Sequence, residues 1–177
     1  MINNNIVLEQ MTRADVESVL EIEKLSYPSP WPEEAFLAEL SKTDVCYYIA
    51  AKQNNKVIGY CGVWVLLDEA HITTLAVHPA HRKHGIGTRL LFCVFDEAYK
   101  RKLQYVTLEV RMTNTAAKNM YRKFLFTQKG FRRGYYLDNN EDAEIWTSQD
   151  LFDPDYAQFI ENLKQKTRNA HAIDVHV

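Results

Sequence analysis

No stretch of the 177 residues is apolar over a length that would span a bilayer, and the opening "MINNNIVLEQM" has neither the basic start nor the apolar run of a secretory signal. The protein is therefore expected to work in the cytoplasm, without a membrane partner. Net charge is also nearly absent: 21 Lys and Arg stand against 23 Asp and Glu, a formal charge of -2. That balance supplies no long-range field for nucleic acid or an anionic surface, so any anion site must be local. Cysteine is scarce. Cys46, Cys61 and Cys93 are odd in number, far apart and set in the apolar runs "VCYYIA", "GYCGVW" and "LLFCVF". They read as reduced core thiols, with little to suggest a disulfide or a catalytic cysteine. Internal repeats and low-complexity tracts are missing too.

What remains is an ordinary globular composition, 46% hydrophobic and 25% charged, in a length that suits one domain with an appendage. "IVLEQM" at 6–11 predicts a strand. "TRADVESVLEIEKL" follows, with Thr12 and Asp15 spaced as a capping box before apolar Val16, Val19, Leu20 and Ile22. The proline-broken "SYPSPWPEEAFLAEL" runs into a short helix with Pro32 in its first turn and Phe36, Leu37 and Leu40 facing inward. From Tyr47 the pattern changes to "YYIAAK", "VIGYCGVWVLL" and "HITTLAVHP", an antiparallel meander.

A helix over about 88–102 presents Leu90, Leu91, Val94, Phe95 and Ala98 as one stripe, and "LQYVTLEVRM" is the next strand. Strand, helix and strand make a crossover, which implies a parallel pair. Asn114 can cap a helix through about Phe124, and "FTQKGFRRGYYL" and "AEIWTS" close with a hairpin. Residues 1–150 thus predict an α/β domain. Residues 151–177 predict an amphipathic helix, with Tyr156, Phe159, Ile160 and Leu163 on one face, followed by a poorly ordered "NAHAIDVHV". That stripe must cover this domain or a partner.

The chemistry is concentrated in "HPAHRKHGIGTRLL". Backbone amides from Arg82 to Thr88, unobstructed at Gly85 and Gly87 and standing at a helix N-terminus, suit phosphate oxygens, with Arg82, Lys83 and His84 adding charge. A nucleotide P-loop is excluded because no lysine follows the second glycine. A dinucleotide fingerprint is disfavoured because Leu90 stands at its third glycine and the strand leading in belongs to an antiparallel meander. His78, His81 and His84 recur every third residue, but a loop containing Pro79 is not one helix face and no CxxC accompanies it, so no metal is expected.

Arg82, Gly85 and Gly87 form RxxGxG, preceded by "ITTLAVHP" and followed by "LEVRMTNTAAKNMYRKFLF". In these motifs the chain resembles the GNAT N-acetyltransferases, and among them the RimI-type protein N-terminal acetyltransferases, over roughly residues 5 to 150. The resemblance implies a mixed central sheet with an antiparallel N-terminal meander, a splayed parallel pair at the coenzyme site, and flanking helices. It implies acetyl-coenzyme A as co-substrate, its pyrophosphate on the amides of Arg82, Lys83, His84, Gly85, Ile86, Gly87 and Thr88. The strand through Leu75 and Val77 would bond its pantetheine, and Asn114 would touch it besides capping its helix.

Strand alternation puts Thr107, Glu109 and Arg111 on one face of "YVTLEVRM". Glu109 is then either a solvated strand residue or, as the resemblance implies, the general base. Tyr121 is either a helix tyrosine packed on the core or, by the same resemblance, the acid that reprotonates the sulfur. Tyr135 and Tyr136 match tyrosines that line the peptide entrance in relatives. Tyr27 and Trp31 would form the opposite wall or anchor their loop. One departure bears on Tyr121: Leu125 stands where the family's helix ends in glycine, and a left-handed cap there costs ~1 kcal/mol. The resulting expectation is direct acetyl transfer to a protein N-terminus, such as the N-terminal alanine of a ribosomal protein. The rivals are transfer to a small amine or a lysine, and a non-catalytic coenzyme-binding module.

Overall fold

The alternating segments do pair. The computed structural model describes residues 6–171, with side chains through 168. Among them are strands β1 (Ile6–Gln10), β2 (Cys46–Gln53), β3 (Lys56–Leu66), β4 (Glu69–Val77), β5 (Tyr105–Arg111), β6 (Thr127–Tyr136) and β7 (Glu141–Thr147). They form one sheet in the order β1-β2-β3-β4-β5-β7-β6, antiparallel throughout except for the β4–β5 pair. The helices are α1 (Val16–Ser26), α2 (Glu33–Leu40), α3 (Ile86–Lys100), α4 (Thr115–Lys123) and α5 (Pro154–His171). The capping box closes a short 3-10 turn over Arg13–Asp15, where Asp15 Oδ2 accepts from Thr12 N (2.8 Å) and Oγ1 (2.9 Å), so α1 itself begins at Val16. Pro32 is the residue before α2 rather than in its first turn.

Each sheet face has its own core. β2 sends Tyr47, Ile49 and Ala51 into one cluster with Leu90, Leu91, Val94 and Phe95 of α3, and Tyr48 and Ala50 into another with Val16, Val19, Ile22 and Phe36. Helices on both faces explain why β2 and β3 read as nearly unbroken apolar runs. Close packing is tight at one register pair, Tyr48 with Gly62: a Cβ on Gly62 would lie 2.4 Å from the Tyr48 ring. Cys46, Cys61 and Cys93 are free and buried, and burial pushes the thiols of Cys46 and Cys93 up to about 11.

The α5 stripe covers this domain. Tyr156 is buried in the α3 cluster and donates its hydroxyl to Phe124 O at 2.7 Å, while Phe159, Ile160 and Leu163 pack beside it. The expected disorder of "NAHAIDVHV" falls partly on residues 169–171, which continue α5; residues 172–177 lie outside the described part.

α4 ends as a glycine-terminated helix would. Leu125 adopts the left-handed conformation itself (φ 57°), Leu125 N donates to Arg122 O (3.0 Å), and Phe126 N donates to Tyr121 O (3.2 Å). This is the Schellman pattern, including its apolar contact, here the Tyr121 and Phe126 rings 5.7 Å apart. Tyr121 is thus held despite the missing glycine. Leu125→Gly should be more stable than Leu125→Ala by about 1 kcal/mol, because only glycine removes the left-handed penalty. Equal urea midpoints for the two variants would contradict the strained cap.

Candidate active site

β4 and β5 pair only from Glu69–Tyr105 to Ile72–Leu108. At that point β4 carries an extra residue, Thr73, between the partners of Gly62 and Val63, and such a bulge bends its strand. Beyond it β4 stays with β3 and β5 stays with β7, so the two parallel strands part. Leu75 and Val77 lie on one side of the wedge and Glu109 on the other. Tyr27, just past α1, donates its hydroxyl to Leu75 O (3.0 Å), and burial pushes that phenol up to about 12.

The loop from Arg82 to Thr88 lies where β4 hands over to α3. Gly85 caps the helix with φ 77°, and α3 starts at Ile86, earlier than its apolar pattern suggested. The first amides of α3 have no intrahelical acceptor, so Ile86, Gly87 and Thr88 present N–H groups at the positive end of the helix dipole. The Ile86 side chain is buried, leaving only its backbone for a ligand. Arg82 Nε donates to Val77 O (2.9 Å) and its Nη2 to Ser26 Oγ (3.0 Å), which fastens the loop to β4 and α1. His84 Nδ1 lies 3.3 Å from His81 O, and burial together with the adjacent His78 and His84 lowers the His81 pKa. Lys83 is exposed with φ 66°.

Glu109 is buried, its side chain 5% exposed, between His71 Nε2 (2.9 Å) and Arg132 Nε (2.7 Å). Burial alone would raise its pKa, yet His71 and Arg132 hold the carboxyl below its ordinary value. Tyr121 is buried on α4, and no described residue bonds its hydroxyl. Burial, with the neighbouring Cys61, Tyr27 and Tyr136, pushes that phenol strongly up. Tyr135 and Tyr136 meet edge to face at 5.1 Å, and Arg111 lies over the Tyr136 ring at 3.8 Å. Burial raises the Tyr136 pKa as well, with Tyr27 and Glu109 among the charges that reach it. Arg132 pairs with Glu109 and lies 5.9 Å from the Tyr135 ring, so Glu109, Tyr135 and Tyr136 share one neighbourhood. Asn114 Oδ1 accepts from Ala117 N (3.1 Å), the helix cap its sequence position suggested.

Trp31 stands apart. Its ring packs on Phe36 (5.8 Å) and its backbone N–H donates to Glu23 Oε2 (2.7 Å), so it anchors its loop. Glu23 went unnoticed in the sequence, although at the i+4 position from Val19, beside Ile22, it sits on the inward stripe of α1. Its buried carboxylate also accepts from Tyr60, whose hydroxyl is 3.2 Å from Thr74 Oγ1, itself 3.3 Å from Tyr27. This chain of polar groups ties the proline-rich loop to the splayed strand, and desolvation raises the Glu23 pKa.

Comparison with known proteins agrees with this geometry. The family model described as Acetyltransferase (GNAT) family matches residues 16–126. A putative ribosomal protein bS18-alanine N-acetyltransferase of Bacillus subtilis is 34% identical over 138 residues, covering 78% of this chain and 91% of that protein. The N-alpha-acetyltransferase RimI of Mycobacterium tuberculosis is 35% identical over 144 residues, 78% of this chain and 89% of the relative. The crystal structure of the ribosomal-protein-S18-alanine N-acetyltransferase from Escherichia coli superposes with a TM-score of 0.73 at 30% identity, over 81% of this chain and 92% of that one.

Glu23→Leu keeps volume but leaves the Trp31 N–H and the Tyr60 hydroxyl without their acceptor, so unfolding should be easier by about 1–3 kcal/mol. An unchanged urea midpoint would show that Glu23 is not what fastens this loop.

Proposed function

The chain belongs to the GNAT acetyltransferase family, an N-acetyltransferase using acetyl-coenzyme A, and on that footing we propose that it acetylates the N-terminal α-amine of a protein. The acceptor class follows from relatives named for alanine N-acetylation of ribosomal protein bS18, and a ribosomal protein in the cytoplasm is the substrate we assign. The observation that carries the proposal is a buried carboxylate, Glu109, beside the point where β4 and β5 part. We assign the catalytic unit to residues 1–150, with α5 of the 151–177 segment packed on it.

The residues fit the co-substrate. The edge of β4 that β5 abandons offers the N–H groups of Leu75 and Val77, whose carbonyls already accept from Tyr27 and Arg82, to an extended pantetheine, which must find partners for its amides. Amides from Arg82 to Thr88 suit the pyrophosphate, and Gly85 in its left-handed conformation turns the chain into α3 there. Arg82, Lys83 and His84 add positive charge, and we assign Asn114, the cap of α4, to the coenzyme as well. Tyr27, Tyr135 and Tyr136 wall the entry of an extended peptide, and Trp31 stiffens the loop behind Tyr27.

An α-amine has a pKa of ~8, so a base is needed to collect its proton but a strong one is not. Glu109 takes that role as the amine attacks the thioester carbon. Tyr121, kept protonated by burial, supplies a proton to the departing sulfur. The dry surroundings that raise the phenol also make a thiolate more basic, which favours the transfer.

Thiol release from acetyl-coenzyme A, offered N-terminal peptides, lysine peptides and polyamines in parallel, tests the assignment. Release with alanine-starting peptides is expected, and preference for a polyamine or a lysine side chain would contradict it. Glu109→Gln should lower kcat by about 10²–10⁴, and Tyr121→Phe by about 10–10², with coenzyme affinity by calorimetry nearly unchanged. Equal losses of turnover and coenzyme affinity would remove these residues from the chemistry.

A further inference from the structure

Glu109 is one member of a row. Beyond His71 Nε2, the other imidazole nitrogen, Nδ1, lies 2.9 Å from Thr107 Oγ1, and that hydroxyl reaches Glu69 Oε2 at 3.2 Å. Arg132, Glu109, His71, Thr107 and Glu69 thus run across β6, β5 and β4. They lie on the α1 and α2 face, because Ile72 and Leu108, their strand neighbours, point into the α3 cluster. The His71 side chain is 17% exposed.

The hydrogens along the row determine what His71 can do. A carboxylate only accepts, so a Thr107 hydroxyl that donates to Glu69 must accept from Nδ1–H. With Nδ1 protonated, Nε2 and Glu109 Oε2 would be two bare acceptors 2.9 Å apart unless a proton lies between them. The row is complete when Glu109 and His71 hold one proton in common, and it is one proton short otherwise. When the imidazole is neutral with Nε2–H on Glu109, the hydroxyl must turn to Nδ1 and give up Glu69. Arg132 takes no part in this exchange, since a guanidinium keeps its protons and serves only to hold Glu109 ionised.

We infer that His71 is the positioning residue through which Glu109 acts as a base, the proton of the attacking amine entering at the carboxylate and coming to rest on the imidazole. The inference rests on the acetyl transfer proposed above. The N–C bond forms as the thioester C–S bond breaks. The amine nitrogen loses one proton, the Glu109–His71 pair gains one, and the sulfur takes one from the Tyr121 hydroxyl. Tyr121 and the pair then reset by exchange with water, which reaches the row at half-buried Glu69. With its carboxyl held below the ordinary range by His71 and by the Arg132 guanidinium, Glu109 is a weak acceptor alone. His71, bonded to Glu109 through one ring nitrogen and to Thr107 through the other, is placed to take the proton on.

The charged groups around His71 are Glu69 on its own strand, Glu109 on β5 with Arg132 of β6 behind it, and Glu39 of α2, bonded to the His71 register partner Trp64. The Tyr135 ring lies 5.9 Å from the Arg132 guanidinium, and burial, then Glu109, raises its pKa.

The test is the acetyl-transfer rate constant of the full-length enzyme against pH, at saturating co-substrate and peptide. Glutamine keeps an N–H donor toward Glu109 but cannot titrate. The wild type should lose rate as pH falls, along a limb that depends on His71. His71→Gln should lack that limb and be roughly 30-fold slower at pH 8, with both Michaelis constants within about twofold. Thr107→Val, which removes the Nδ1 partner, should move the limb to lower pH. A His71→Gln profile parallel to the wild type overturns the inference, however slow the variant, and so does an unmoved limb in Thr107→Val. Glu109→Gln separates the two levels. If it runs at the wild-type rate, the proposed general base itself is wrong; if it is slow while the His71→Gln profile stays parallel, only the role of His71 falls.

Discussion

Everything in this site depends on a parallel ladder that stops. Four register pairs join β4 to β5, and then a single extra residue, Thr73, bends β4 away while each strand keeps its other neighbour. Backbone groups cannot stay unpaired at low cost, so an abandoned strand edge is a standing demand for a partner with amides in an extended line. The sheet can sustain the opening because its other pairings are antiparallel and intact, and because helices cover both faces.

The opening also decides where polar side chains can be buried. On the α1 and α2 face, Glu23, Tyr60, Thr74 and Tyr27 connect the proline-rich loop to the strand that forms one wall. On the other wall, Glu109 is flanked by His71 and Arg132. Two carboxylates lie close to one cleft, and their surroundings push them apart: desolvation raises Glu23, whereas His71 and Arg132 lower Glu109. Divergence of this kind is what the proposed division of labour requires, Glu23 fastening its loop and Glu109 serving the reaction.

Most of the fold was legible because it is local. The capping box, the α3 stripe, the Asn114 cap and the apolar runs of β2 and β3 each follow from spacing within a dozen residues, and the RxxGxG spacing alone marks its loop as a candidate anion site. Leu125 was legible only as a departure from pattern; that leucine itself takes the left-handed cap requires the backbone. The companions of Glu109 were not legible. Setting His71 beside it depends on the β4–β5 register, and bringing Arg132 to it depends on β6 lying beyond β7, pairings between segments tens of residues apart. Trp31 was left open between wall and anchor, and only its contact with Phe36 and its bond to Glu23 show how it is held.

The central claim is that the parting of β4 and β5, together with the α3 N-terminus, receives the coenzyme. Amide hydrogen exchange with and without coenzyme A addresses it directly, before any acceptor is known. Slowed exchange concentrated in residues 73–77 and 83–88 is the predicted result. Binding that leaves those amides unchanged while protecting another part of the sheet would contradict it.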